Sequence, residues 1–198
     1  KTQISKEVIL ETALKMLIRD GYSAVNIKTL SKEIGCSTQP LVWHFDNMEG
    51  LRKALADYAL TYANEKMCPS ADSAVNAFEQ VGQAYIKIAL YEPNLFQFVF
   101  LNGSGSYPMG NASMLTDDKD HAELIKMIAG EFQITEQKAG QYLQNTVIYT
   151  HGLASFIATG MMSMPEKEIM ALINQAGNNF LIQAGVPSDK ITQSCEDK

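Results

Sequence analysis

Residues 26–53 read NIKTLSKEIGCSTQPLVWHFDNMEGLRK. Ile27, Leu30 and Ile34 recur at i, i+3 and i+7, which lays one apolar stripe along a short helix. Asn26 carries a side chain that caps helix starts, and Gly35 has the backbone freedom to end one. Ser37 or Thr38 then caps a second helix whose inner face holds Leu41 and Phe45, one turn apart. Pro40 falls in its first turn, where backbone N–H groups lack intrahelical partners. A third helix opens near Asn47. Two short helices around a tight turn make a helix-turn-helix, the unit that places its second helix in the DNA major groove.

The same stretch resembles the DNA-binding region of the TetR (tetracycline-repressor) family of bacterial transcription regulators. The matching residues are Ile27, Leu30, Gly35, Ser37, Leu41, His44, Phe45, Glu49 and Leu51. Farther on, NTVIYTHGLASFIATG (145–160), with His151-Gly152-Leu153 at its centre, is similar to the ligand-binding body of one branch of that family, named for a Trp-His-Gly motif. EPNLF (92–96) resembles the same branch. The resemblance implies an all-α protein. It has an N-terminal three-helix DNA-binding domain, a C-terminal helical ligand-binding and dimerisation domain, and about nine helices.

The chain has 198 residues, 46% of them hydrophobic, which is enough for a full core. Cys36, Cys68 and Cys195 are an odd number without CxxC spacing, so neither a disulfide framework nor a zinc site is expected. No apolar leader opens the sequence, and no apolar run approaches the ~20 residues that span a bilayer. A cytoplasmic protein without membrane contact is therefore expected. Net charge is −6, but it is unevenly spread: residues 1–67 hold 9 Lys/Arg and 8 Asp/Glu, residues 68–198 hold 7 and 14. A near-neutral head on an acidic body argues against indiscriminate nucleic-acid binding.

Periodicity predicts helix almost throughout. Helix 1 runs over about 5–20, ended by Gly21. Helix 4 covers about 47–67 and links head to body. Helix 5 covers about 70–91, and the Glu92-Pro93 pair breaks it. A short apolar helix (94–101) follows, then a Gly/Ser/Asn-rich flexible loop (102–116). Helix 7 covers about 117–132, with His121 among Asp117, Asp118 and Asp120 as an acidic helix start. Helix 8, capped by Thr135, runs to about 162. Helix 9, with Pro165 as its first residue, runs to about 183. The expected domains are 1–50 for DNA binding, 51–186 for ligand binding and dimerisation, and 187–198 as a flexible tail.

On the second helix of the motif, Thr38, Gln39, Val42 and Trp43 are left to face DNA. Gln39 suits an adenine edge and Val42 a thymine methyl. Lys28, Arg52 and Lys53 are candidate phosphate contacts, and the N–H groups at the start of helix 4, near Asn47, are another. His44 completes the candidate DNA set, and with no acid or nucleophile near it in sequence it reads as a structural residue at the helix end rather than as a catalytic base or ligand. The chain departs from the family at Val42 and Met48, where Tyr and Lys commonly hold phosphates.

The family resemblance implies a largely apolar cavity in the body. Phe96, Phe100, Met127, Tyr149 and His151 are its expected lining, with simple core packing as the alternative. It also implies that helices 8 and 9 pair with a twin's. Gly152, Ser155 and Thr159 allow close approach there, and Ile169, Leu172, Ile173, Ala176 and Phe180 form an apolar stripe. The expectation is a ligand-responsive regulator, a repressor. As a homodimer it would bind a palindromic double-stranded operator and be released by a small, mostly apolar ligand. The alternative is a ligand-binding or scaffolding protein whose DNA reading has weakened. No nucleophile–base pair, metal cluster or phosphate loop points to an enzyme, and no cofactor is expected.

Overall fold

Capping side chains fix the helix-turn-helix locally. The computed structural model describes residues 4–70, 73–101 and 119–191, with the backbone only at 74 and 119–121. Helix α1 spans Lys6–Asp20 and is capped by Ser5. A single 3-10 turn, Tyr22–Ala24, leads to α2 (Ile27–Ile34). The Asn26 side chain accepts from the Lys28 and Thr29 N–H groups, each at 3.0 Å, while the Thr29 hydroxyl accepts from Asn26 N–H at 3.1 Å. This reciprocal box satisfies three otherwise unpaired donors. Asn26→Ala is expected to cost about 1 kcal/mol of stability in a urea titration; an unchanged midpoint would show that the cap contributes nothing. Gly35 ends α2 in the left-handed region, at φ 78° and ψ 34°.

Helix α3 spans Gln39–Phe45 with Thr38 at its N-cap position. Neither Ser37 nor Thr38 caps it as expected: Thr38 sits in helical backbone conformation and its side chain makes no capping bond. Helix α4 spans Met48–Lys66. Helix α5 covers Ala74–Tyr91, starting later than the sequence indicates, and α6 is only Pro93–Phe96. The expected single helix over 94–101 instead continues as a π-helical segment, Gln97–Leu101. Helix α7 spans Lys119–Phe132, α8 Glu136–Ala158 and α9 Glu166–Ala184. Helix α8 stops short of residue 162, and Pro165 occupies the N-cap position just outside α9, without a side-chain capping bond, rather than opening it. Among the described residues the chain is all-α, with no strand.

The chain divides into two units. The first takes the described residues of 1–68 and 87–109, the second those of 69–86 and 110–198. This boundary differs from the expected break after residue 50. Helix α4 belongs with the head because Leu51, Leu55, Ala56, Ala59 and Ala63 are all buried there. In the first unit, Leu30, Leu41 and Leu55 have no exposed surface and Leu51 has 1%. Each such leucine contributes roughly 1.5–3 kcal/mol by leaving water. Residues 92–98 are tied to this core at several points. The Asn94 side-chain amide donates to the Ile18 carbonyl at 3.0 Å, and the Tyr22 and Phe98 rings stack with centroids 4.8 Å apart. The Glu92 carboxylate accepts from Lys66 and, at 3.2 Å, from the Tyr62 hydroxyl.

In the second unit α8 packs against both α7 and α9. Its core holds Val75, Ile128, Phe132, Tyr142, Leu143, Leu181, Val186 and Ile191. Residues 188–191 are helical and Ile191 is 5% exposed, so this part of the expected tail is packed. The expected 102–116 loop, Asp117 and Asp118 of the expected acidic helix start, and residues 192–198 lie outside the described residues, as do the side chains of Asp120 and His121.

Candidate nucleic-acid interface

Helix α3 is two-faced. Leu41 is fully buried and Phe45 4% exposed, while Val42 is 44% and Trp43 67% exposed. Thr38 and Gln39 are exposed beside them. This seven-residue helix turns a valine and the chain's single tryptophan to solvent. The packing thus leaves outward the four residues expected to face DNA. Lys28 on α2 and Lys53 on α4 are also exposed. Lys53 and Lys6 flank an open groove of about 490 Å³ on the first unit.

Two expected DNA residues are committed elsewhere. The His44 ring lies half-buried with Nε2 3.0 Å from the Ile4 carbonyl. A carbonyl only accepts, so Nε2 carries the proton and donates, and His44 ties the end of α3 to the segment before α1. Asn47 caps α4: its side-chain oxygen accepts from the Glu49 N–H at 2.9 Å and the Gly50 N–H at 3.0 Å. Those two donors, expected to be open to a phosphate, are therefore already satisfied. The intervening turn was not foreseen. Asp46 sits at φ 61° and ψ −51°, and the Asn47 N–H bonds back to the Phe45 carbonyl at 2.7 Å. This is a γ-turn with its central residue at positive φ, a strained way to set the angle between α3 and α4.

Arg52 is half-buried on α4, with its guanidinium carbon 5.6 Å from the Tyr22 ring centre. Tyr22 was absent from the expected site residues.

The expected ligand-lining residues fall in different units. Phe96 and Phe100 belong to the first, their ring centroids 5.1 Å apart, and Phe96 is a core residue with no exposed surface. Met127, Tyr149 and His151 belong to the second. Met127 is 51% exposed on α7, along the exposed stripe of Glu123 and Glu131, and the described residues do not enclose it. Tyr149 meets Phe180 edge-on at 6.2 Å. His151 pairs with Tyr85, which is outside the expected site residues: Tyr85 Oη lies 2.8 Å from His151 Nδ1. Burial pushes the Tyr85 phenol well above its usual range and the His151 imidazole below its own. Tyr85 is therefore the donor and His151 the neutral acceptor, an uncharged polar pair on α5 and α8.

The expected dimer stripe is divided. Ile169 is fully buried and Ile173 8% exposed, so these two face their own core. Leu172, Ala176 and Phe180 are half-buried, as are Gly152 and Ser155, and Thr159 is exposed. Ile148 (56%), Phe156 (47%), Met161 (76%) and Ile182 (48%) are the exposed apolar residues here. On α8, Ile148, Gly152, Ser155, Phe156 and Thr159 recur at i, i+4, i+7, i+8 and i+11 and share one face.

Among the described residues no group of three or more His, Cys, Asp and Glu could hold a metal ion, and no helix is long and apolar enough to cross a membrane.

The family model described as bacterial regulatory proteins, tetR family, matches residues 9–55. The tetracycline repressor protein class C of Escherichia coli is 29% identical over 76 residues. That match covers 38% of this chain and 35% of the relative's own length. Among solved structures, a TetR variant of Acinetobacter baumannii AYE in complex with minocycline superposes with a TM-score of 0.57 at 14% identity. It covers 91% of this chain and 96% of that one. BioQ with its double-stranded DNA operator gives a TM-score of 0.54 at 14% identity, covering 88% and 98%. At such identities these likenesses concern the fold alone. Residues 9–55 of the chain match the N-terminal domain model of the tetR family of bacterial regulatory proteins.

Proposed function

We propose that this protein is a ligand-responsive transcription regulator, a repressor that binds a palindromic operator as a homodimer. The observation that carries the reading is the outward face of α3, with Gln39, Val42 and Trp43 turned away from a core that holds Leu41 and Phe45. The fold-mate BioQ was solved with a DNA operator, which supports a duplex as the partner. The exposed apolar face of α8 supports self-association. A two-fold dimer reads half-sites spaced by whole helical turns.

The effector is a small, mostly apolar molecule. The fold-mate bound to minocycline supports a small-molecule site on this architecture. His151-Gly152-Leu153 and EPNLF support a body of the Trp-His-Gly branch. Repression is relieved when the ligand has higher affinity for the state that does not fit the operator.

Two substitutions test the DNA reading together. Gln39→Ala is expected to weaken operator binding by about 1–3 kcal/mol and to relax base preference at one position, with the salt dependence unchanged. Lys53→Ala is expected to weaken all duplexes alike and to lower the salt slope by about 0.9 per protomer. Unchanged affinity in both variants would contradict the proposed interface.

One set of observations favours a ligand-binding or scaffolding protein with weakened DNA binding. His44 and Asn47 are engaged within the head, and Val42 and Met48 replace residues that commonly hold phosphates in the family.

A further inference from the structure

The chain has two arginines, and they are used differently. Arg19 is neutralised by Asp20 at 2.7 Å and Glu33 at 3.0 Å. Arg52 makes no ion pair among the described residues. It is held instead by a ring, with its guanidinium carbon 5.6 Å from the Tyr22 centroid. Its Nε is buried without a hydrogen-bond partner among the described residues. The other face of the arrangement is a stack: Tyr22 and Phe98 lie 4.8 Å apart with ring planes inclined by only 26°. Tyr22 itself sits on a 3-10 turn of three residues, too short to fix a side chain alone.

A planar guanidinium over an aromatic ring is oriented as well as attracted. That orientation matters here because Glu49 lies one turn before Arg52 on α4, at the i, i+3 spacing of helical ion pairs. An unrestrained Arg52 would be drawn toward Glu49 and its charge spent. Stacked on Tyr22, it keeps an un-neutralised, bidentate donor on α4, which begins just after the exposed helix α3.

We propose that Tyr22 is a positioning residue of the DNA interface: clamped against Phe98, it holds Arg52 so that the guanidinium's outer N–H groups meet a backbone phosphate. The inference rests on the DNA-binding reading above. It assigns to a residue outside the helix-turn-helix, and to Phe98 of the π-helical segment, a role in setting affinity without sequence preference.

The test is the salt dependence of binding to a duplex that the wild-type protein selects. Tyr22→Leu is expected to weaken binding five- to tenfold and to reduce the slope of log K against log salt by about 0.9 per bound protomer. Tyr22→Phe keeps the ring and is expected to bind with the wild-type slope. Adding Glu49→Gln to Tyr22→Leu is expected to restore part of the affinity, because the competing carboxylate is gone. Should Tyr22→Leu not fold, Phe98→Leu removes the other half of the clamp and is expected to reduce the slope in the same way. A wild-type slope in folded Tyr22→Leu or Phe98→Leu overturns the proposal, as does equal loss in Tyr22→Phe. If the wild-type protein binds no duplex, the DNA-binding reading fails and this proposal falls with it. Wild-type binding with unaltered variants removes the positioning role alone.

Discussion

Gly50→Ala is expected to disrupt the helix-turn-helix. Helix α4 starts immediately after the γ-turn at Asp46 and passes close over the end of α3. A Cβ at position 50 would lie 2.1 Å from the Phe45 carbonyl oxygen and 3.1 Å from its carbon. The obstacle is backbone, which no rotamer change relieves. That carbonyl also accepts the Asn47 N–H closing the turn. Either α4 lifts, uncovering Leu51 and Phe45, or the turn opens. The expected cost is about 3 kcal/mol or more. Gly82→Ala on α5 is the control, since a Cβ there meets nothing within 4 Å. It is expected to be neutral or to stabilise by up to ~1 kcal/mol through helix propensity. Urea unfolding of the pair checks both. An unchanged midpoint in Gly50→Ala would mean that the close approach of α4 to α3 is not required.

Phe156→Glu is expected to convert the proposed dimer into monomers. Phe156 is 47% exposed at the middle of the α8 face that also carries Ile148, Gly152 and Thr159. An aromatic at the centre of a self-complementary interface is the kind of residue that carries its energy. Replacing it with a carboxylate loses that burial and, at a two-fold axis, sets like charges together. The expected loss is about 2–4 kcal/mol, or roughly 30- to 1000-fold in the self-association constant. Light scattering across a concentration series checks it. The variant should keep the wild-type helix content and lose operator binding, because a lone head contacts only one half-site. A Phe156→Glu protein that stays dimeric would move the interface off this face.

Much of the head was legible because its signals are local. Asn26 and Gly35 act on backbone groups two to four residues away, and the structure places each at the helix end that its chemistry indicates; Thr135 does the same in the second unit. Contacts between distant residues were not legible. The His44 bond to Ile4 joins residues 40 apart, and no periodicity announces it. The Tyr22–Phe98 stack likewise needs the whole intervening chain to fold first. The stripe on α9 shows a different limit: Ile169 and Ile173 mark an apolar face, but spacing alone does not tell whether the same chain or a twin covers it. The polar pair Tyr85–His151 was half-legible, since His151 stood out on α8 while its partner on α5 looked like any core tyrosine.

A two-fold DNA reader selects its own operator, so duplexes from a random library are offered to the purified protein and the bound ones sequenced. Enrichment of one palindrome with half-sites a whole number of turns apart is expected, with quenching or enhancement of Trp43 fluorescence when that duplex is added. No enriched sequence even at low salt, with Trp43 fluorescence unmoved by any duplex, would contradict it.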